Sequence, residues 1–269
     1  VAGLAYFGGL YLGDFTVTIG ALIGSVIYAV VTYFASAKAA LAFNGAKEIQ
    51  KQDDPRLWRT VENLAITNGM PMPKVHIMED PGLNAFATGR DPNHAHVAIT
   101  TGLLNTLEDA ELEGVMAHEL GHVKNYDIRV SMVAFGLVMV VSALADILFR
   151  VSIFGGRDRE NSNGAMAIVG IAAMILAPLV AALIQSAISR KREYLADATG
   201  AMTTRYPEGL ARALEKIKTG GSAMRRQNTS TAHLFFANPL SGKSLSSMFS
   251  THPPIDDRIA KLRGMDSKV

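Results

Sequence analysis

The chain has 269 residues, a formal net charge of +2 at pH 7 and no cysteine. That length fits one sizeable domain or two small ones, and the near-neutral charge leaves no electrostatic footprint for a nucleic-acid partner. The absence of cysteine excludes disulfides and thiolate metal sites, so any metal must be held by histidine and carboxylate.

Mean hydropathy is +0.19, high for a soluble protein, and the excess is concentrated in a few runs. The opening stretch Val1 to Gly13 is apolar, starts without methionine and reads as the remnant of an earlier span. It shows neither the basic n-region nor the small-residue cleavage site of a signal peptide. Phe15 to Ala37 is uncharged and ends at Lys38, long enough for a bilayer core that takes about 20 residues. Pro55 to Asn68 has Leu57, Val61, Leu64 and Ala65 at helical spacing and predicts an amphipathic helix. Lys74 to Met78 predicts a short strand. Asn84 to Thr88 and His96 to Thr100 predict two more, joined by a turn through Gly89, Asp91, Pro92 and Asn93. His94 and His96 would share a strand face if that segment were extended. Two partly exposed imidazoles are the expectation there, and a structural role is expected for His76 and His233.

The most informative stretch is His118-Glu119-Leu120-Gly121-His122. Thr106 to Asp109 reads as a capping pattern, [ST]-x-x-[DE], at the start of a helix running from Ala110 to Asp127. On that helix the two imidazoles lie on one face a turn apart and can bind one metal ion, while Glu119 can reach a water on it. Leu112, Val115, Met116, Leu120 and Val123 give an apolar flank. Gly114 and Gly121 cost about 1 kcal/mol each relative to alanine, so each implies close approach of another backbone or of a substrate.

Val130 to Phe149, broken only by Asp146, and Gly164 to Ser189, containing Pro178, are two further runs of spanning length. Asp146 and Pro178 are expected to face other helices rather than lipid. Basic residues cluster at Lys38 to Arg59, at Lys124 and Arg129, and at Arg190-Lys191-Arg192, which favours a cytoplasmic active side.

A catalytic zinc needs a third protein ligand and an open position. A third histidine in the metzincin pattern is absent, because Asn125 and Ile128 stand where Gly and His would be needed. The downstream carboxylates are Glu160, Glu193, Glu208 and Glu215. Glu160 lies in the connection between the two spans, on the far side. Glu193 lies just past the last run, where the chain has returned, and is the expected ligand. Asp197 follows one helical turn later, placed to accept a hydrogen bond from a ligand imidazole. Tyr206 to Lys218 reads as an amphipathic surface helix, and Thr219 to Thr229 as a polar, Gly/Ser-containing loop.

The residues together resemble the HtpX family of membrane zinc metalloproteases, relatives of the CAAX prenyl endopeptidases. The matching segments are Asn84-Ala85-Phe86-Ala87-Thr88-Gly89, His118 to His122 with Asp127, Glu193-Tyr194-Leu195-Ala196-Asp197, and Thr251-His252-Pro253-Pro254 followed by Arg258. The resemblance implies an α+β membrane protein with a mainly helical, zincin-like (gluzincin) protease domain. It also implies a small β-sheet and a transmembrane hairpin inserted between the metal ligands. The expected organisation is an N-terminal membrane region (1–37), the first part of the protease domain (38–128), the hairpin (129–189) and the second part (190–269). One Zn2+ would be held by His118, His122 and Glu193, with Glu119 as general base. By resemblance, His252 would donate to the oxyanion, and Arg258 would pair with Glu193 or Asp197. Asn84, Ala85 and Phe86 would line a groove where an extended peptide adds to a strand edge. The implied activity is endopeptidase cleavage of damaged membrane proteins at the cytoplasmic face of a bacterial or archaeal plasma membrane. A site-2-type intramembrane protease fits less well, because Glu111, Glu113, Lys124 and Asp127 surround the motif. A catalytically silent membrane scaffold or chaperone with a structural zinc is the alternative of a different class. A structural site would be closed by a fourth protein ligand.

Overall fold

The computed structural model describes residues 15–136, 190–225, 231–237, 239 and 253–266. The expected hairpin, with Asp146 and Pro178, lies outside the described residues apart from 129–136, and so does His252. The chain divides into two compact units, one comprising Val1–Ser36 and Gly136–Val180, the other Ala37–Phe135 and Ala181–Val269.

The first described element, α1 (Phe15–Phe43), contains the first expected span. Ile19, Ile23, Val26, Ile27, Val30, Val31 and Phe34 on it are exposed. Taken over the described residues, no helix is long and apolar enough to cross a membrane.

The second unit carries a four-stranded mixed sheet: β1 (Ala46–Glu48), β2 (Lys74–Met78), β3 (Ala85–Gly89) and β4 (Ala95–Thr100). Their order is β1-β2-β4-β3. β2 and β4 run parallel and the outer pairs antiparallel, with Ala85 opposite Ile99 and Ala87 opposite Val97. The parallel pair needs a crossover, and β3 lies within it, so β3 becomes an edge of the sheet. The amphipathic helix α2 (Pro55–Thr67) is capped by the Asp54 side chain and buries Leu57, Val61, Leu64 and Ala65, the four residues its spacing predicts. Burying each such side chain is worth about 1.5–3 kcal/mol. A short helix, α3 (Thr101–Thr106), follows β4.

The motif helix α4 spans Asp109–Lys124, three residues shorter at its end than its periodicity suggests. Its cap also differs from expectation. Thr106 ends α3 and donates from its hydroxyl to the Gly102 carbonyl at 2.7 Å. Glu108 is the cap residue instead, and the Glu111 carboxylate accepts its N–H at 2.7 Å. A threonine that can bond back to i−4 satisfies itself inside the preceding turn and is lost as a cap. At the other end Tyr126 adopts φ 60°, the left-handed conformation that stops helices. The chain re-enters helix over 127–136. Three more helices follow among the described residues: α5 (Arg190–Thr204), α6 (Pro207–Gly220) and α7 (Ile255–Asp266). Helix α4 packs against α2, α5, α6 and β3 at once, which explains why eleven of its sixteen residues are buried.

Candidate metal centre

The two glycines of α4 are where its neighbours touch it. A Cβ built on Gly114 would sit 2.7 Å from the Leu210 nitrogen, and one on Gly121 3.3 Å from the Ala196 carbonyl oxygen. The contact is reciprocal: a Cβ on Gly200 of α5 would lie 3.0 Å from the His118 nitrogen. Backbone rather than substrate accounts for both glycines, and the close packing brings the side chains of α5 onto the His118–His122 face.

Glu193 and Asp197, one turn apart on α5, are both buried and both reach that face. His118 Nε2 and His122 Nε2 lie 3.1 Å apart. The Glu193 carboxylate is 3.5 Å from His122 Nε2 and 3.9 Å from His118 Nε2. The opposite ring nitrogens are engaged elsewhere: His118 Nδ1 is 2.9 Å from Asp197 Oδ1 and His122 Nδ1 is 3.1 Å from Asp127 Oδ2. A carboxylate only accepts, so each Nδ1 carries the proton and donates. Both Nε2 atoms then present lone pairs to one another and to a carboxylate. Three acceptors facing each other repel unless a proton, as on His122 in the metal-free protein, or a metal cation sits between them. Two nitrogens on a tetrahedral zinc, at bond lengths of about 2.0–2.1 Å, stand about 3.3 Å apart. The residues therefore fit a metal ion, and His118, His122 and Glu193 are the one group among the described residues that could hold one.

Behind His118 lies an ion pair. Arg258 is fully buried and grips Asp197 with both ends of its fork, Nε to Oδ2 at 2.9 Å and Nη2 to Oδ1 at 2.7 Å. Its Nη1 lies 3.9 Å from Glu193, so of the two expected partners Asp197 is the hydrogen-bonded one. The Phe236 ring covers both the guanidinium, at 4.6 Å, and the His118 ring, at 4.8 Å.

The electrostatics separate the groups by role. Burial raises the Glu119 carboxyl to about 7, with the Glu193 charge adding to it and His122 and Arg258 opposing. Burial holds His118 down to about 4 against the pull of Asp197. Burial also pulls His122 down, but its bond to Asp127 and the charges of Glu193 and Glu119 outweigh this and lift it to about 9. Those directions are set by protein groups alone. A bound cation takes the neutral imidazole and displaces that proton. Asp197 is raised by burial but held well below the usual carboxylate range by the charge of Arg258 and by its bonds to His118 and Arg258.

The residues expected to line a substrate groove have partners within the protein. Asn84 is fully buried, and its amide is used within the protein. Its Nδ2 donates to the carbonyls of Ala237 at 2.8 Å and Ser222 at 3.1 Å, and its Oδ1 accepts from the Ala237 and Ala85 N–H groups. The Phe236 N–H donates to the Ala85 carbonyl at 2.8 Å, and Phe86 bridges to Phe235 in antiparallel fashion. The chain's own segment 235–237 thus occupies the Ala85–Phe86 edge. A buried amide must satisfy its polar atoms internally, and Asn84 does so by clamping that segment. The expected His94–His96 pair is not formed on a strand face. His94 closes the 3-10 turn Pro92–His94 and binds Asp91 at 2.8 Å, while the His96 ring stacks beside His76 at 5.2 Å.

Two features behind the site come from the structure: the bond of Asp127 to His122 and the placement of Phe236. Asp127 follows His122 by five residues, and only the sharp turn at Tyr126 carries it back to the ring. Phe236 lies in a segment with no periodicity to mark it.

Two imidazoles and a carboxylate converging on one point, with a second buried carboxylate beside them, are the donor set of a metallopeptidase. The chain belongs to peptidase family M48, whose sequence pattern matches residues 51–266, and it is a metalloendopeptidase. Among its relatives, a protease HtpX homolog of Tropheryma whipplei is 53% identical over 241 residues, covering 90% of this chain and 83% of the relative. A protease HtpX homolog of Dictyoglomus thermophilum is 46% identical over 260 residues, covering 96% and 84%. The crystal structure of Ste24p from S. mikatae shares the fold, with a TM-score of 0.54 and 22% identity. The match covers 90% of this chain and 57% of that one, so this chain spans little more than half its length.

Proposed function

We propose that the protein is a membrane-bound zinc endopeptidase that cuts damaged or misassembled membrane proteins on the cytoplasmic side. The observation that carries the chemistry is the convergence of His118 Nε2, His122 Nε2 and the Glu193 carboxylate beside a buried Glu119. A zinc ion held by these three residues supplies Lewis acidity toward water and the scissile carbonyl. Glu119 takes a proton from the attacking water and returns it to the leaving amine. Burial lifts its carboxyl above the ordinary carboxylate range, which makes it a stronger base than an exposed glutamate. Asp197, fixed by Arg258, holds the His118 tautomer that leaves Nε2 free. His252, outside the described residues, is proposed as the donor to the oxyanion. The membrane reading is supported by the exposed apolar side chains of α1 and by the apolar runs 130–149 and 164–189.

Glu119→Gln tests the mechanism. The full chain in detergent should keep stoichiometric zinc by elemental analysis and lose casein cleavage by about 10²–10⁴-fold, the range for a general base. Wild-type protein should lose cleavage with chelator and regain it on adding zinc. Turnover by the variant at wild-type rate would overturn the base assignment. Chelator-resistant cleavage would overturn the metal.

A further inference from the structure

The two imidazoles are not equally restrained by their own helix. His118 lies mid-helix, while His122 is in the last turn of α4, two residues before its end at Lys124. Helix ends fray, so a ligand placed there needs an outside restraint. Asp127 provides one oxygen to it, Oδ2 at 3.1 Å from His122 Nδ1. Its other oxygen, Oδ1, accepts from Arg192 Nη1 at 3.0 Å. Arg192 stands on α5 directly before Glu193. One carboxylate thus links the ring of one metal-site residue to the backbone neighbour of another. The pair closes a short circuit, His122–Asp127–Arg192–Glu193, around the 3.5 Å gap between His122 Nε2 and Glu193 Oε1.

We propose that Asp127 and Arg192 are positioning residues that set His122 and Glu193 at metal-binding distance from each other. Neither touches the reacting atoms. Asp127 fixes the rotation and tautomer of His122, and Arg192 fixes Asp127 while tying the start of α5 to the end of α4. The proposal rests on the reading of His122 as a metal ligand.

The test uses the full chain in detergent and zinc alone as the probe. Zinc affinity is read by chelator competition, site geometry by the visible d–d spectrum of the cobalt-substituted protein, and folding by thermal unfolding with chelator present. Loss of such an outer partner weakens metal binding by about 10–100-fold. That range is expected for Asp127→Ala, with about tenfold for Arg192→Ala and an altered cobalt spectrum in both. Arg192→Lys, which keeps a donor, should recover most of the affinity. Unchanged affinity and spectrum in both alanine variants would overturn the positioning role. So would a weakening mirrored by an equal loss of stability in chelator and not rescued by lysine. His122→Ala serves as the control on the underlying reading. If it binds zinc as tightly as wild type, the metal-site assignment falls and the pair's role falls with it.

Discussion

The two candidate ligand imidazoles are held from behind by the same chemical device in opposite settings. Asp197 and Arg258 stand behind His118, fully enclosed, with a two-pronged contact and an aromatic lid from Phe236. Asp127 and Arg192 stand behind His122, joined by a single 3.0 Å bond, with the arginine side chain one-third exposed. The buried pair has no water to fall back on, so losing either member strands a charge in the interior. In the outer pair Asp127 is buried but Arg192 reaches solvent, so the arginine can be removed at smaller cost to folding. One clamp is part of the core, whereas the other acts on the site with little weight in the fold.

The largest expected effect follows from this contrast. Arg258→Ala should destabilise the protein by about 3–5 kcal/mol, as for other broken buried pairs, and Arg192→Ala by about 1 kcal/mol or less. Urea unfolding of both variants decides the matter; equal losses would erase the distinction. Acid comes next. Asp197 is depressed below its unfolded value, so its contribution is fully present above the ordinary carboxylate range. It is lost progressively as pH falls from there to the lower folded value. Unfolding followed between pH 5 and pH 2 in chelator should therefore show the His118 clamp surviving to the acid end, and Asp197→Asn should flatten that limb. A clamp lost by pH 5 would contradict the pairing. The smallest effect is from salt. Raising ionic strength from about 0.1 M to about 1 M shortens the screening length from about 10 Å to about 3 Å. This should weaken zinc binding by wild-type protein by a few-fold through the Asp127–Arg192 pair, and have less effect on an Arg192→Ala variant. A salt response of equal size in both would place the sensitivity elsewhere.

Much of this arrangement can be read from residues in order. His118, His122 and Glu119 follow from a five-residue pattern, and the buried face of α2 from its spacing, because helical periodicity is a local property. Glu193 and Asp197 become legible once the apolar runs between them and the motif are counted, because that count says where the chain returns. The capping of α4 was misread, since Thr106 satisfies a local carbonyl and only geometry tells which bond wins. Strand β1 spans three residues, too few for any alternation to register. The internal partners of Asn84, the backbone at 222 and 237, are not legible in the sequence, because an asparagine before a strand looks the same whichever chain segment it faces. The partnership of Asp127 with Arg192 depends on a left-handed turn at a tyrosine, a conformation that residue type does not advertise.

The contact between α4 and its two neighbours leaves no clearance for a methyl group at Gly114 or Gly209, where an added carbon would come 2.7 and 2.5 Å from facing backbone, and a tight fit at Gly200, 3.0 Å from the His118 nitrogen. The coordinates of the catalytic apparatus are consequently inherited from main chain pressed on main chain. A single methyl at position 200 would act as a wedge under His118. It would shift a ligand without altering any chemically active group, and an inactive enzyme could result from a lesion that no survey of reactive residues would flag.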